Sequence, residues 1–100
     1  MENAKFIKQI EDTFKDAVKL VRVKNQDYAN SVDPYKNFRA SVIVNVDPRR
    51  AILVRVADKL SRISNLLDKK SAVKDEPIFN DLVDSINYLC ILKVWLENGE

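Results

Sequence analysis

The sequence predicts an all-α fold, a helical bundle of about four helices that self-associates, and three observations predict it. The 100 residues contain one glycine and three prolines, whereas a β-rich chain needs turn residues every few positions. Apolar residues recur at three- and four-residue spacing over long stretches, the period of a helix with one buried face. Three acid-proline pairs, Asp33-Pro34, Asp47-Pro48 and Glu76-Pro77, punctuate the chain, and such pairs suit the first positions of helices. With 46% apolar and 32% charged residues the composition is that of a folded globular chain. Residues 1–100 read as a single α-helical domain.

The first helix is expected from Asn3 to Lys24. Phe6, Ile7, Ile10, Phe14, Ala17, Val18 and Val21 share one face, and Lys, Glu and Asp the opposite one. Residues 25–33 form a polar loop without a period. Asp33 then caps a second helix over 34–43, with Pro34 in its first position. The β-branched run Val42-Ile43-Val44-Asn45-Val46 is a poor helix former and reads as that helix's frayed end or a short extended stretch. Asp47-Pro48 opens a third helix over 48–69, whose stripe is Ile52, Leu53, Val56, Leu60, Ile63, Leu66 and Leu67. Residues 71–75 form a turn, and Glu76-Pro77 opens a fourth helix over 76–97. Ile78, Leu82, Ile86 and Leu89 are expected to face inward. The second half of that helix, Tyr88 to Leu96, is apolar nearly all round, which predicts a homo-oligomer joined through it.

Composition excludes several functions. There is no histidine, which removes the commonest general base and metal ligand and rules out a histidine-based nucleophilic triad. The lone Cys90 permits no disulfide framework and points to the cytoplasm. The sole glycine is Gly99, so no glycine-rich phosphate loop exists. Met1 to Lys8 carries no secretory signal, and the longest apolar run is too short to span a bilayer. Net charge is +2, unevenly placed: residues 33–70 carry nine basic and four acidic groups (+5), residues 71–100 two and six (−4). A basic third helix beside an acidic fourth reads either as mutual attraction of packed helices or as a cleft with cations on one wall and carboxylates on the other. The low overall charge and the acids of the fourth helix argue against direct nucleic-acid binding.

Three clusters could carry chemistry. Lys24-Asn25-Gln26-Asp27-Tyr28, with Asp33, Tyr35, Asn37, Phe38 and Arg39, combines polar groups with aromatics able to stack on bases. An interhelical loop anchored by its aromatics is the plainer reading. On the third helix Arg55, Asp58, Lys59 and Arg62 share a face at offsets of three and four. Arginine forks fit phosphate oxygens and lysine supplies a point charge; a salt-bridged exposed face is the alternative. On the fourth helix stand Glu76, Asn80, Asp81, Asp84, Asn87 and Tyr88. Carboxylates one turn apart can hold Mg²⁺, with phosphates and water completing its shell, although acids in a first turn also suit the helix dipole.

In this order and spacing, Lys24-Asn25-Gln26-Asp27-Tyr28, Arg55-Val-Ala-Asp58-Lys59-Leu-Ser-Arg62, Val73-Lys74-Asp75-Glu76 and Asp84-Ser-Ile-Asn87-Tyr88 resemble small phage and bacterial proteins described as nucleotide-modification-associated domains. The resemblance covers roughly residues 22–90. It implies nucleotide metabolism or nucleotide handling during phage infection. More distantly, Asp81-Leu-Val-Asp84-Ser-Ile-Asn-Tyr-Leu is similar to the second acidic motif of MazG-type all-α nucleoside triphosphate pyrophosphohydrolases, helical oligomers that use Mg²⁺. Their first acidic motif is missing: Glu11-Asp12-Thr-Phe-Lys15-Asp16 has lysine where the third acid belongs. Ala29 and Asn80 likewise stand where the closer family suggests glycine and an acid.

The resulting expectation is a phage-type protein that holds a phosphorylated nucleotide, sequestering a modified or cyclic signal used in host defence. Its ligand residues would be Lys24, Asp27, Tyr28, Phe38, Arg39, Arg55, Lys59, Arg62, Asn87 and Tyr88. The alternative is a Mg²⁺-dependent pyrophosphohydrolase with metal ligands among Asp58, Glu76, Asp81 and Asp84. A structural helical assembly ranks third. No catalytic residue is assigned.

Overall fold

The computed structural model describes residues 1–27, 33–69 and 76–99, with the side chains of 25–27 and 76 outside that description. The chain is all-α. Its helices are α1 (Asn3–Asp27), α2 (Lys36–Arg39), a 3-10 helix (Ala40–Val44), α3 (Pro48–Leu67) and α4 (Glu76–Glu97), and no strand occurs among the described residues. No helix among these residues is long and apolar enough to cross a membrane. Two units make up the chain, 1–32 and 33–100.

The first unit is α1. It runs three residues beyond the expected end, through Asn25, Gln26 and Asp27, since none of these breaks a helix. Lys8 and Asp12 form an i,i+4 ion pair at 3.3 Å on its polar face, and the Thr13 hydroxyl donates to the Gln9 carbonyl at 2.8 Å.

The second unit is built on an antiparallel α3–α4 hairpin, with α2 and the 3-10 helix against α3. Asp47 caps α3 as its sequence predicts: the carboxylate accepts the Arg49 backbone N–H at 2.9 Å, and Pro48 occupies the first turn. At the second helix the start shifts. Asp33 accepts the Tyr35 backbone N–H at 3.0 Å, but this closes a turn over Pro34, and the α-helix begins only at Lys36. That helix tightens after Arg39 into the 3-10 helix, the frayed end that the β-branched run foretold. Asn45 terminates it in the left-handed region (φ 60°), which asparagine tolerates better than the valines around it. The Ser41 hydroxyl then donates to the Val46 carbonyl at 2.8 Å.

The apolar stripes divide differently from the expectation. On α3, Ile52, Val56 and Ile63 are buried, while Leu53, Leu60 and Leu67 remain exposed. On α4 the buried positions are Ile78, Asp81, Ser85, Asn87 and Trp95, whereas Leu82 and Leu89 are exposed and Ile86 is half-buried. Ion pairs to Asp81 and Asp84 draw Lys59 into the α3–α4 seam, which turns α4 so that its leucines point elsewhere. The all-apolar half of α4 also finds partners within the chain. Trp95, Phe38 and Ile52 form a buried cluster, with Tyr35, Tyr88, Ile91 and Leu92 packed on it. Burying aliphatic and aromatic side chains of this kind contributes roughly 1.5–3 kcal/mol each.

Candidate functional site

Along the seam the two long helices run in opposite directions, so successive turns of α3 meet successive turns of α4 in reverse order. Arg55, Lys59 and Arg62 occupy adjacent turns of α3. On α4, Asp81 and Asp84 lie opposite Lys59 and Arg62, while Tyr88 meets Phe38 near Arg55. The seam thus has an aromatic end and an ionic end.

At the ionic end, Lys59 Nζ lies 3.1 Å from Asp84 Oδ2 and 3.5 Å from Asp81 Oδ1. Arg62 Nε lies 3.2 Å from Asp81 Oδ2. Asp81 is 2% exposed, and its helix turn is tied by the Ser85 hydroxyl donating to the Asp81 carbonyl at 2.8 Å. Burial works to lower the Lys59 pKa, but hydrogen bonding and charge from Asp84, joined by Asp81, outweigh it and hold the ammonium above its ordinary 10.5. One lone pair remains unused. Asp81 Oδ2 is buried without a hydrogen-bond partner, because the nearby Arg62 Nε does not direct its proton at it. A buried acceptor in this condition costs free energy until a donor or cation reaches it.

At the aromatic end, Phe38 and Tyr88 meet edge to face with centroids 6.1 Å apart. Tyr35 and Trp95 do the same at 4.6 Å. Two guanidinium groups rest on these rings. Arg55 sits 5.3 Å over Phe38, and Arg39 sits 4.8 Å over Trp95 and 5.8 Å over Tyr35. Arg39 is also paired with Asp33, Nε to Oδ2 at 2.6 Å. Arg55 makes no ion pair with a carboxylate among the described residues and is exposed.

The structure therefore gathers Phe38, Arg39, Arg55, Lys59, Arg62 and Tyr88 from the expected ligand set, with Asp81 and Asp84 from the metal set, along one seam. Asp58 is exposed on α3, and none of the contacts above includes it. Asn87 is buried on α4. Lys24 belongs to the other unit. Tyr28 lies outside the described residues, as do the side chains of Asp27 and Glu76. Among the described residues no group of three or more potential metal-ligating acids or cysteines comes together. Sequence reasoning left Trp95 out of the site, although its offset of seven from Tyr88 places both on one face of α4.

The fold and site define a class: an all-α chain whose helical hairpin carries a seam of paired charges running into an aromatic-guanidinium cluster. No protein-family model matches the chain, and neither does any curated protein or solved structure.

Proposed function

We propose that the protein holds a phosphorylated nucleotide along the α3–α4 seam. The observation that carries this reading is Arg55. Its guanidinium is seated on the Phe38 ring, exposed, and without a carboxylate among the described residues. Seating on a ring limits the freedom lost on binding, and a planar fork of donors matches two phosphate oxygens at once. The charge count supports it. Arg55, Lys59 and Arg62 face two carboxylates, Asp81 and Asp84, and the surplus cation is the one beside the aromatics. Tyr88, half-buried next to Phe38, is the ring placed to meet a base.

Holding without turnover is favoured over cleavage because Lys59 and Arg62 together already neutralise the two seam carboxylates. Mg²⁺-dependent pyrophosphohydrolysis would require Asp81 and Asp84 to exchange Lys59 for the metal. A single experiment separates the two. The protein is incubated with a panel of linear nucleotides and cyclic dinucleotides, with and without Mg²⁺, then heat-denatured and chromatographed. Intact nucleotide released on heating supports holding, and monophosphate with pyrophosphate supports the hydrolase. Arg55→Ala should weaken binding of the retained nucleotide by about tenfold or more, the worth of one charge-assisted contact. Affinity unchanged in that variant, or no nucleotide retained or cleaved, would remove the seam as the site.

A further inference from the structure

We infer that the seam takes a singly charged phosphodiester, as in a nucleoside cyclic monophosphate or a dinucleotide linkage, and discriminates against nucleoside di- and triphosphates. The inference rests on the proposed seating of a nucleotide phosphate on Arg55, and it names what limits the charge of that phosphate.

The charges along the seam are nearly all matched. Arg39 lies 2.6 Å from Asp33. Lys59 lies 3.1 Å from Asp84 and 3.5 Å from Asp81, and Arg62 reaches Asp81 at 3.2 Å. Among the described residues, Arg55 is the seam cation that makes no ion pair with a carboxylate, and its guanidinium rests on the Phe38 ring. One unmatched cation balances one anionic charge. A phosphodiester carries one charge, a terminal phosphate nearly two at neutral pH, and a triphosphate more.

The turns next to Arg55 offer nothing to a second phosphate. One turn toward the start of α3, the same face carries Ala51. One turn toward its end stands Lys59, already shared by two carboxylates. At about 100° per residue, the order outward from the buried line Ile52–Val56–Ile63 is Lys59, Arg55, Arg62 and Asp58. Arg55 is therefore bracketed. On its inner side is Asp84, held against Lys59 and one turn before Tyr88 on α4. On its outer side is Asp58, exposed, three residues after Arg55 and four before Arg62. A further phosphate would meet one of these two carboxylates or extend into water. Like charges about one helical turn apart repel, and the extra charges would lose hydration without gaining a cation. A diester avoids both costs and still uses the Arg55 fork. Asp58 and Asp84 thus act as specificity-determining residues for the phosphate's charge.

The test is equilibrium binding to the full chain at constant ionic strength, with EDTA present so that no metal screens the phosphates. For each of the four bases the probes are the 3′,5′-cyclic monophosphate, a linear dinucleoside monophosphate, and the nucleoside di- and triphosphates. One of the two diesters should bind about tenfold or more tightly than the triphosphate of the same base. Asp58→Asn, an exposed change expected to leave the circular dichroism spectrum unaltered, should narrow that gap several-fold by raising triphosphate affinity. Asp84→Asn should narrow it as well. Triphosphate binding as tightly as either diester, and weakened by Arg55→Ala, overturns the charge limit while leaving the seam as the site. A diester preference that neither folded variant narrows also overturns it, since the choice then rests on shape. Binding of no probe, or binding indifferent to Arg55→Ala, removes the seam as the site and this inference with it.

Discussion

The two ends of the α3–α4 seam solve one packing problem with different chemistry. At the Trp95 end a third element is present: α2 brings Phe38 and Tyr35 against Ile52 and Trp95. Water is excluded there by apolar contact, and the guanidinium groups of Arg39 and Arg55 lie on ring faces. At the Asp81 end the ion pairs run directly from one long helix to the other, and paired charges fill the gap. Lys59 and Arg62 reach across to Asp81 and Asp84, and one carboxylate oxygen stays unsatisfied. Stability is therefore expected to concentrate at the aromatic end. The ionic end contributes less, because charges lose hydration when buried and regain it only partly from each other.

The sharpest test of that contrast is Trp95→Ala. Trp95 is 3% exposed, and its removal should cost about 3–5 kcal/mol and lower the urea midpoint accordingly. A loss smaller than that caused by any ionic-end substitution would reverse the comparison. Asp81→Ala should cost about 2 kcal/mol, below the roughly 3–5 kcal/mol of a fully enclosed pair, since exposed Arg62 can turn to water. Asp81→Asn should cost less again. If both variants unfold as the native chain does, the seam charges do not hold the helices together.

Alkaline titration probes the ionic end without mutation. Because Asp84 and Asp81 hold Lys59 above its ordinary 10.5 in the folded chain, its contribution is complete below pH 10.5 and is lost as pH rises through the higher folded value. Lys59→Met should remove that alkaline loss. The same pH dependence in both proteins would assign it to other groups. The smallest effect is expected at the start of α3. Hydrogen bonds from Arg49 hold the Asp47 carboxyl below its usual 3.8, so its contribution is present above that pH and fades as pH falls through the lower folded value. Asp47→Ala should lower the melting temperature by only a few degrees, with the helix content of α3 otherwise retained.

Much of the fold was legible in the residues because helix signals are local. Asp47-Pro48 and the apolar period of α3 act within four residues of one another, and the helix they predict is present with its cap. The 3-10 end at Ala40–Val44 follows from a β-branched run in the same way. The site was legible as two sets of charges on two helix faces, but their pairing was not. Arg62 and Asp81 are neighbours only because the chain reverses between α3 and α4.

What the sequence determined by itself was the all-α class, the order of the long helices and the residue types available to each face. The tertiary structure decided which stripe of each helix faces its neighbour. Periodicity alone favours leucine against leucine. Pairing between Lys59 and two carboxylates, together with the aromatic cluster around Trp95, instead goes with burial of Ile52, Val56 and Ile63 on α3 and of Ile78, Asp81 and Ser85 on α4, and leaves Leu53, Leu60, Leu67, Leu82, Leu89 and Leu96 exposed. A helix's rotation about its own axis is set by contacts made across the fold, and hydropathy along one segment does not contain them.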